Sequence, residues 1–454
     1  MKVVVIGGGI SGLAAAYRLR GAGCEVVVLE ADARHGGKVR TEADGGYVVE
    51  HGPNGFLDSR TQVLDLARDL GLGSRITQAD EAAKKRYLFL DGTLREAPSG
   101  PMSFLAGPLL SPKGKARMMA EPFVPRRKGG GDESVYDFAA RRIGREAAER
   151  LVDPMVTGIY AGDVKRLSLP AAFPRLHRLE VEHGGLMRGM AAMMKQRKAD
   201  MGAAAGPSGR LTSFPGGLGE MIDALVGALG DAAQAGRPVQ RLERVGAHGW
   251  KVHAAGGDPI ACDAVVVATP TDVMAKLIGP LADGATAPLE TIRYAPAAVV
   301  AVGYRAVDLP RTLDGFGFLV PSGERRRVLG VLWSSTLFPG RAPGGHALLR
   351  CIVGGSRQPE LLDLADDELI DVVVSELSIT LGGAMTAPAF SKVVRWPAGI
   401  PQYELGHLDR VAAAEAAVRP LSGLHLAGNG LYGVSLADCI ARADALPEMV
   451  LRTE

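Results

Sequence analysis

The sequence predicts an α/β protein with three parts: a Rossmann-type nucleotide-binding domain assembled from both ends of the chain, a mixed-sheet α+β domain, and an inserted helical domain. Three observations lead there. A strand, glycine turn, helix, strand and acidic residue follow one another within the first thirty residues. Strand-like runs that would complete the same sheet recur far downstream, at Ala264–Ala268 and Leu424–Leu426. Between about residues 84 and 205 the strand pattern gives way to helical spacing. A length of 454 residues, at roughly 150 per domain, agrees with two or three domains.

The first unit has a physical reason at each position. Met1–Ile6 is a β-branched run of the kind buried on both faces of a parallel sheet. Gly7-Gly8-Gly9-Ile10-Ser11-Gly12 follows, and Leu13–Arg20 has helical spacing. Gly7 permits the tight turn, Gly9 lets backbone approach a pyrophosphate, and Gly12 lets helix and sheet pack closely. The helix N-terminus offers free N–H groups carrying roughly +0.5 charge. A second strand, Glu25–Leu29, ends at Glu30-Ala31, where the acid can accept from ribose hydroxyls. An acid there disfavours a 2′-phosphate, leaving FAD or NAD ahead of NADP. Glycine turns are common, so GxGxxG alone says little; its order within this unit carries the reading.

Downstream, Arg237–Leu242 reads as a strand, Gly249–His253 as its hairpin partner, and Ala264–Ala268 as a buried strand ending at Thr269-Pro270. Leu424–Asn429 reads as strand and turn, and Gly433-Val434-Ser435-Leu436 opens a helix through Asp438, Cys439 and Ile440. Gln358, Asp363 and a helix over Asp366–Leu381 read as a layer covering the second sheet. The expected division is 1–58, 211–290 and 392–454 for the nucleotide-binding domain, 59–83 and 291–391 for the mixed-sheet domain, and 84–210 for the helical one.

Composition excludes several classes. Lys+Arg exceeds Asp+Glu by only two, 52 against 50, which argues against a general nucleic-acid binder. The widely spaced Cys24, Cys262, Cys351 and Cys439 form no CxxC pair and read as reduced buried thiols. There is no cluster with metal-ligand spacing, no GxSxG and no Cys/His pairing. Neither a leader peptide nor a run of about 18 apolar residues is visible, so a cytoplasmic protein is expected, soluble or peripherally attached.

Further motifs narrow the field. Arg34-His35-Gly36-Gly37-Lys38-Val39-Arg40-Thr41 and Gly45–Asn54 resemble the FAD enzymes of the amine-oxidase, porphyrinogen-oxidase and phytoene-desaturase superfamily, a Rossmann-type (GR2-like) group. Many amine oxidases carry Arg where this chain has Lys38. Arg395–Tyr403 with Gly406-His407, Gly315–Pro321, Leu329-Gly330, Phe338-Pro339, Lys85-Arg86-Tyr87, Gly158–Asp163 and Gly433–Ile440 resemble one family within it, the oxygen-dependent protoporphyrinogen IX oxidases of bacteria. The likeness runs from residue 1 to about 442.

That resemblance implies non-covalent FAD. Gly7 to Gly12, Glu30, Ala31, Gly37, Lys38, Gly52, Pro53, Asn54, Gly55, Val239, Trp396, Gly428, Val434, Ser435 and Leu436 would hold it. It also implies three successive two-electron oxidations, with dioxygen reoxidising the flavin and yielding hydrogen peroxide each time. No side chain is expected to do the chemistry; the protein positions a carbon near flavin N5 and excludes water. Arg86 would take a substrate propionate, and Phe316, Leu319, Leu332 and Ile352 would wall an apolar slot, with Asn54 and Gly158 at its junction with the flavin. Without the resemblance, Lys84-Lys85-Arg86 reads as a solvated basic cluster and the four walls read as core.

Other classes stay open: coproporphyrinogen III oxidase, whose substrate carries four propionates rather than two; an FAD amine oxidase or carotenoid desaturase; and a non-catalytic FAD-stabilised binding protein. Lys113, Lys115, Arg117, Arg126, Arg127 and Lys128 lie close to Phe104, Leu105, Leu109 and Leu110. They read equally as a solvated loop or as a surface that settles on an anionic membrane; the resemblance favours peripheral attachment to the inner face of the cell membrane. Met187, Met190, Met193 and Met194 share a helical face that reads as core before it reads as a ligand contact. Gly202–Gly209 reads as a linker. Monomer and homodimer remain open, as does direct passage of product to ferrochelatase.

Overall fold

The computed structural model describes residues 1–98, 100–127, 129–200, 209–246 and 249–452; Lys128 and all of the expected linker except Gly209 lie outside them. Lys2–Ile6 is the centre of a five-stranded parallel sheet. Glu25–Leu29 and then Ala233–Gln234 flank it on one side, Ala264–Val267 and then Leu424–Leu426 on the other. Val3, Val4, Val5, Val265, Val266 and Val267 are fully buried, as strands covered on both faces must be. Helices Ile10–Gly21 and Leu436–Leu451 pack together on one face. An antiparallel meander, Val239–Val245, Gly249–Ala254 and Ile260–Cys262, leads back into the sheet.

The second sheet has seven strands in the order Phe390–Pro401, Tyr294–Arg305, His346–Gly354, Val328–Trp333, Gly317–Leu319, Tyr87–Leu90, Thr93–Glu96. It is antiparallel except where Gly317–Leu319 runs parallel to Tyr87–Leu90. Two stretches differ from the sequence-based division. Residues 84–96, expected in the helical part, supply its last two strands, and Phe390–Pro401 runs across the expected boundary at 392. Helix Asp366–Leu381 covers one face through Leu369, Val373 and Leu377 against Phe89, Val300 and Trp333. The other face is covered in part, by Tyr47 and Val49 and by Leu109.

The described residues between 101 and 200 form helices joined by loops and turns. Within them Arg142 and Glu121 form a fully buried ion pair, and Glu121 also accepts from the Leu186 and Met187 N–H groups at 2.8 and 3.0 Å. That carboxylate sets the start of helix Leu186–Asp200. The methionine face of this helix is not core: Met190, Met193 and Met194 are exposed, and Met187 is only partly buried.

Candidate flavin and substrate site

The glycine turn meets the second glycine pair directly. Gly36 N–H donates to the Gly8 carbonyl at 2.8 Å, and Gly9 and Gly36 form a parallel bridge. Glu30 is already oriented, accepting from the N–H of Gly8 at 2.6 Å and of Asp32 at 2.8 Å. The backbone at 234–237 runs alongside, with Glu30 N–H donating to Gln234 and Arg237 N–H to Glu30. This brings Val239, two residues on, towards the Glu30-Ala31 end. Gly428 packs against Ala268 and Thr269 at the carboxyl end of the central strands. Open parallel sheets take nucleotides in the crevice at this end.

The glycines divide by what surrounds them. A Cβ on Gly12 would overlap the Gly7 carbonyl oxygen, and one on Gly52 would overlap the Lys38 carbonyl oxygen. Those two serve packing. A Cβ on Gly9 would meet nothing within 4 Å. Helix Ile10–Gly21 starts at Gly9 with no side chain capping it, so its first N–H groups are left without a capping acceptor. This arrangement fits a dinucleotide diphosphate. Ile10 and Leu436 are buried in the core, which leaves their backbone as what they can offer. The Ser435 side chain accepts from Asp438 N–H and donates to its carboxylate, holding the entry of helix Leu436–Leu451.

Lys38 is a cation with no carboxylate at ion-pair distance among the described residues, lying 4.9 Å from the Tyr294 ring centroid. Burial lowers its pKa to about 8. Asn54 has a buried side-chain nitrogen without a partner. An uncapped helix start, an oriented acidic acceptor and a half-buried lysine with no carboxylate at ion-pair distance among the described residues together match what an FAD would need.

The substrate residues gather on the face of the seven-stranded sheet away from helix Asp366–Leu381; Tyr47 and Val49 at one side and Leu109 at the other cover that face in part. Leu319, Gly330 and Ile352 pair across three strands, as do Gly317, Leu332 and Arg350. Paired residues point the same way, so Leu319, Leu332 and Ile352 share one face. Each is only partly buried, whereas Phe318, Val331, Cys351 and Val353 on the opposite face are buried under helix Asp366–Leu381. Gly317 and Gly330 contribute no side chains, and a Cβ on either would overlap its neighbours. The result is a flat apolar floor. Gly158, on helix Asp153–Tyr160, fits against it; a Cβ there would lie 2.9 Å from Leu319 Cδ2.

Arg86 stands at the floor's edge. Its carbonyl continues the ladder of Tyr87–Leu90, accepting from Ala97 N–H at 2.7 Å. Tyr87 belongs to the covered face, so Arg86 belongs to the open one. The basic cluster separates in the fold. Lys84 pairs with Glu81, and Lys85 with Asp314 at 2.7 Å. Arg86 has no carboxylate partner among the described residues and lies 5.1 Å from the Phe316 ring centroid. Phe316 and Leu332 pack together with Leu337 and Phe338.

The family sequence model of flavin-containing amine oxidoreductases matches residues 10–443. This chain belongs to that family. A flavin is therefore part of its chemistry. Within the amine oxidoreductases it resembles "Coproporphyrinogen III oxidase" of Bacillus subtilis (strain 168), 30% identical over 98% of this chain and 96% of that one. It also resembles the chloroplastic "Protoporphyrinogen oxidase" of Oryza sativa subsp. japonica, 34% identical over 97% of this chain and 86% of that one. A crystal structure of a protein assigned as a protoporphyrinogen oxidase, from Exiguobacterium sp. 255-15, superposes with a TM-score of 0.86 at 26% identity, covering 100% of this chain and 99% of that one.

Several side chains that organise the site were not singled out from sequence. Tyr403 OH donates to the Asn429 carbonyl and accepts from Gly433 N–H, both at 2.6 Å, tying the turn after Leu424–Leu426 to the entry of the last helix. Tyr294 OH accepts from Thr271 N–H beside Lys38. Arg341 lies 3.4 Å from Glu50, where burial raises the Glu50 carboxyl above its ordinary range. Buried cations opposite a carboxylate are legible in a fold, not in a linear string. Among the described residues no group of His, Cys, Asp and Glu could hold a metal.

Proposed function

We propose that this chain oxidises a porphyrinogen to a porphyrin on non-covalently held FAD, and that protoporphyrinogen IX is the substrate. The observation that carries this is the flat apolar floor of Leu319, Leu332 and Ile352 with the unpaired Arg86 at its edge. A macrocycle with apolar substituents on one side and two propionates on the other suits a floor that is greasy within and cationic at its mouth. Bound FAD supplies the two-electron acceptor, and dioxygen restores it with hydrogen peroxide as product. The chain's residues bind and orient. Arg86 takes a propionate, the leucines and Ile352 exclude water, and Gly158 lets the ring edge approach. Non-covalent attachment is supported by the four cysteines, each within a hydrophobic cluster.

A second reading, coproporphyrinogen III, is supported by the match to the Bacillus protein over 96% of its length. The two separate in a direct comparison. Purified holoprotein is given each porphyrinogen in turn, and porphyrin fluorescence and peroxide are followed. A higher kcat/KM with protoporphyrinogen IX supports the leading reading, and a higher value with coproporphyrinogen III replaces it.

Lys38 gives a pH test of its own. An FAD diphosphate beside it favours the charged lysine, so binding takes up a proton once free Lys38 has lost one. FAD affinity is then expected to fall as pH rises through about 8, by about tenfold per pH unit at most. Without FAD, the lowered pKa makes the fold less stable below 8 than above it. Lys38→Met is expected to flatten the FAD-binding profile measured by fluorescence; a wild-type profile with no slope contradicts the assignment.

Peripheral attachment at the cytoplasmic side of the membrane belongs to the same reading. It is supported by Phe123, 85% exposed, and Met102, 79% exposed, with Met119, Met190, Met193 and Met194 also exposed. The basic residues support it less, because Lys115, Arg117, Arg126 and Arg127 donate to backbone carbonyls. Co-sedimentation with anionic liposomes is expected, and its absence removes this part. No described helix is long and apolar enough to cross a membrane.

A further inference from the structure

Three consecutive carbonyls, those of Glu50, His51 and Gly52, are held by side chains from the seven-stranded sheet. Arg350 Nε donates to Glu50 O at 2.8 Å, Trp396 Nε1 donates to His51 O at 2.7 Å, and Arg350 Nη2 donates to Gly52 O. Arg350 is buried on His346–Gly354, and Trp396 stands on the neighbouring but one strand, Phe390–Pro401. Register places both on the open face. Arg350 pairs with Leu332, and Trp396 pairs with Ala297, two residues from Val299, the partner of Ile352. The carbonyls lie where the chain leaves the Tyr47–Glu50 strand and enters Gly52-Pro53-Asn54. Upstream of them, Tyr47 and Val49 pack on the same face against Leu348 and Ala301.

The geometry therefore points to a clamp: Arg350 and Trp396 are positioning residues that fix the Glu50–Gly52 backbone, from which Pro53 and Asn54 continue, and so set how a bound ring stands relative to the flavin. This rests on the porphyrinogen reading for its substrate. The clamp itself rests on the hydrogen bonds above. Arg350 does not touch the reacting atoms in this account, and the Trp396 indole N–H is used on the His51 carbonyl, whichever way its ring serves the flavin. They act through backbone that both halves of the site share. A guanidinium that bonds two carbonyls two residues apart leaves the segment little freedom, and misplacement by about 1 Å is enough to cost about a hundredfold in rate.

The test uses flavin-loaded wild type, Trp396→Phe, Arg350→Lys and Arg350→Met. Trp396→Phe keeps a ring and removes one donor. Two readouts are taken: anaerobic flavin reduction by the porphyrinogen, with KM measured separately, and amide hydrogen exchange across residues 50–55. The expected result is a fall in reduction rate of about tenfold or more, KM within about twofold, and faster exchange confined to that segment. A protein carrying both Trp396→Phe and Arg350→Lys is expected to lose little beyond the worse single variant, since both donors hold one segment. Loaded variants that reduce at the wild-type rate with unchanged exchange overturn the clamp. So does a loss of thermal stability alone, with rate and local exchange intact. If wild type itself is not reduced, the substrate reading has failed, and the exchange comparison still decides the clamp.

Discussion

Arg86→Ala is expected to raise KM for the porphyrinogen by about tenfold or more while leaving the flavin absorption spectrum unchanged. A guanidinium bound to a carboxylate contributes about 1.5–3 kcal/mol, and about 1.4 kcal/mol is a factor of ten in affinity. The prediction gains weight from how its neighbours are used. Lys84 and Lys85 already have carboxylates, at Glu81 and Asp314, so neither is free to replace it. Arg86 is instead held over the Phe316 ring beside the apolar floor. Arg86→Lys keeps a charge but loses the planar fork, and an intermediate KM is expected. Steady-state kinetics on flavin-loaded protein gives the answer, and an Arg86→Ala enzyme with wild-type KM removes the propionate role.

Gly9→Asp is expected to give a folded protein that does not retain flavin. The Gly9 backbone is extended, with φ −74° and ψ 176°, so a side chain is tolerated there. The space where its Cβ would project is empty to 4 Å, and folding has no objection to filling it. A diphosphate does object. A carboxylate at the start of an uncapped helix occupies the anion's place, uses its N–H groups and repels it. The expected loss in FAD affinity is about a hundredfold or more, given about 1.4 kcal/mol per factor of ten. Gly12→Ala is the contrast, since its methyl group would overlap the Gly7 carbonyl oxygen and damage the fold itself. Circular dichroism and thermal unfolding distinguish the two. A Gly9→Asp protein purified with full flavin content means that the diphosphate binds elsewhere.

The nucleotide-binding unit was legible because its information is local. Strand, turn, helix and acid follow within thirty residues, and Glu25–Leu29 is found where the spacing predicts it. Its downstream strands were legible because buried parallel strands read as plain apolar runs, as at Ala264–Val267. Tyr87–Leu90 is as apolar as those, but it follows three cations, and its partner Phe318 is far along the chain. Nothing nearby announces the sheet it joins. The separation of Lys85 from Arg86 depends on Asp314, more than two hundred residues away.

Burial was the harder quantity to read. The methionine periodicity on Leu186–Asp200 matched a core stripe, yet its surface is exposed, because periodicity shows that a face is apolar without showing what covers it. Arg350 interrupts the apolar run Leu348-Leu349-Arg350-Cys351. A lone cation in a buried strand was the available signal, but its acceptors, the Glu50 and Gly52 carbonyls, are backbone and leave no mark in a sequence. The slot floor was visible only as leucines and isoleucine. Which sheet face they share, and which face the Asp366–Leu381 helix takes, came from register.

The most direct test of porphyrinogen oxidation is anaerobic mixing of the purified, flavin-loaded protein with protoporphyrinogen IX and, separately, coproporphyrinogen III. The predicted result is loss of the oxidised-flavin absorption band together with growth of porphyrin absorption, and return of the flavin band with peroxide formation when air is admitted. A flavin band untouched by either porphyrinogen would contradict the account.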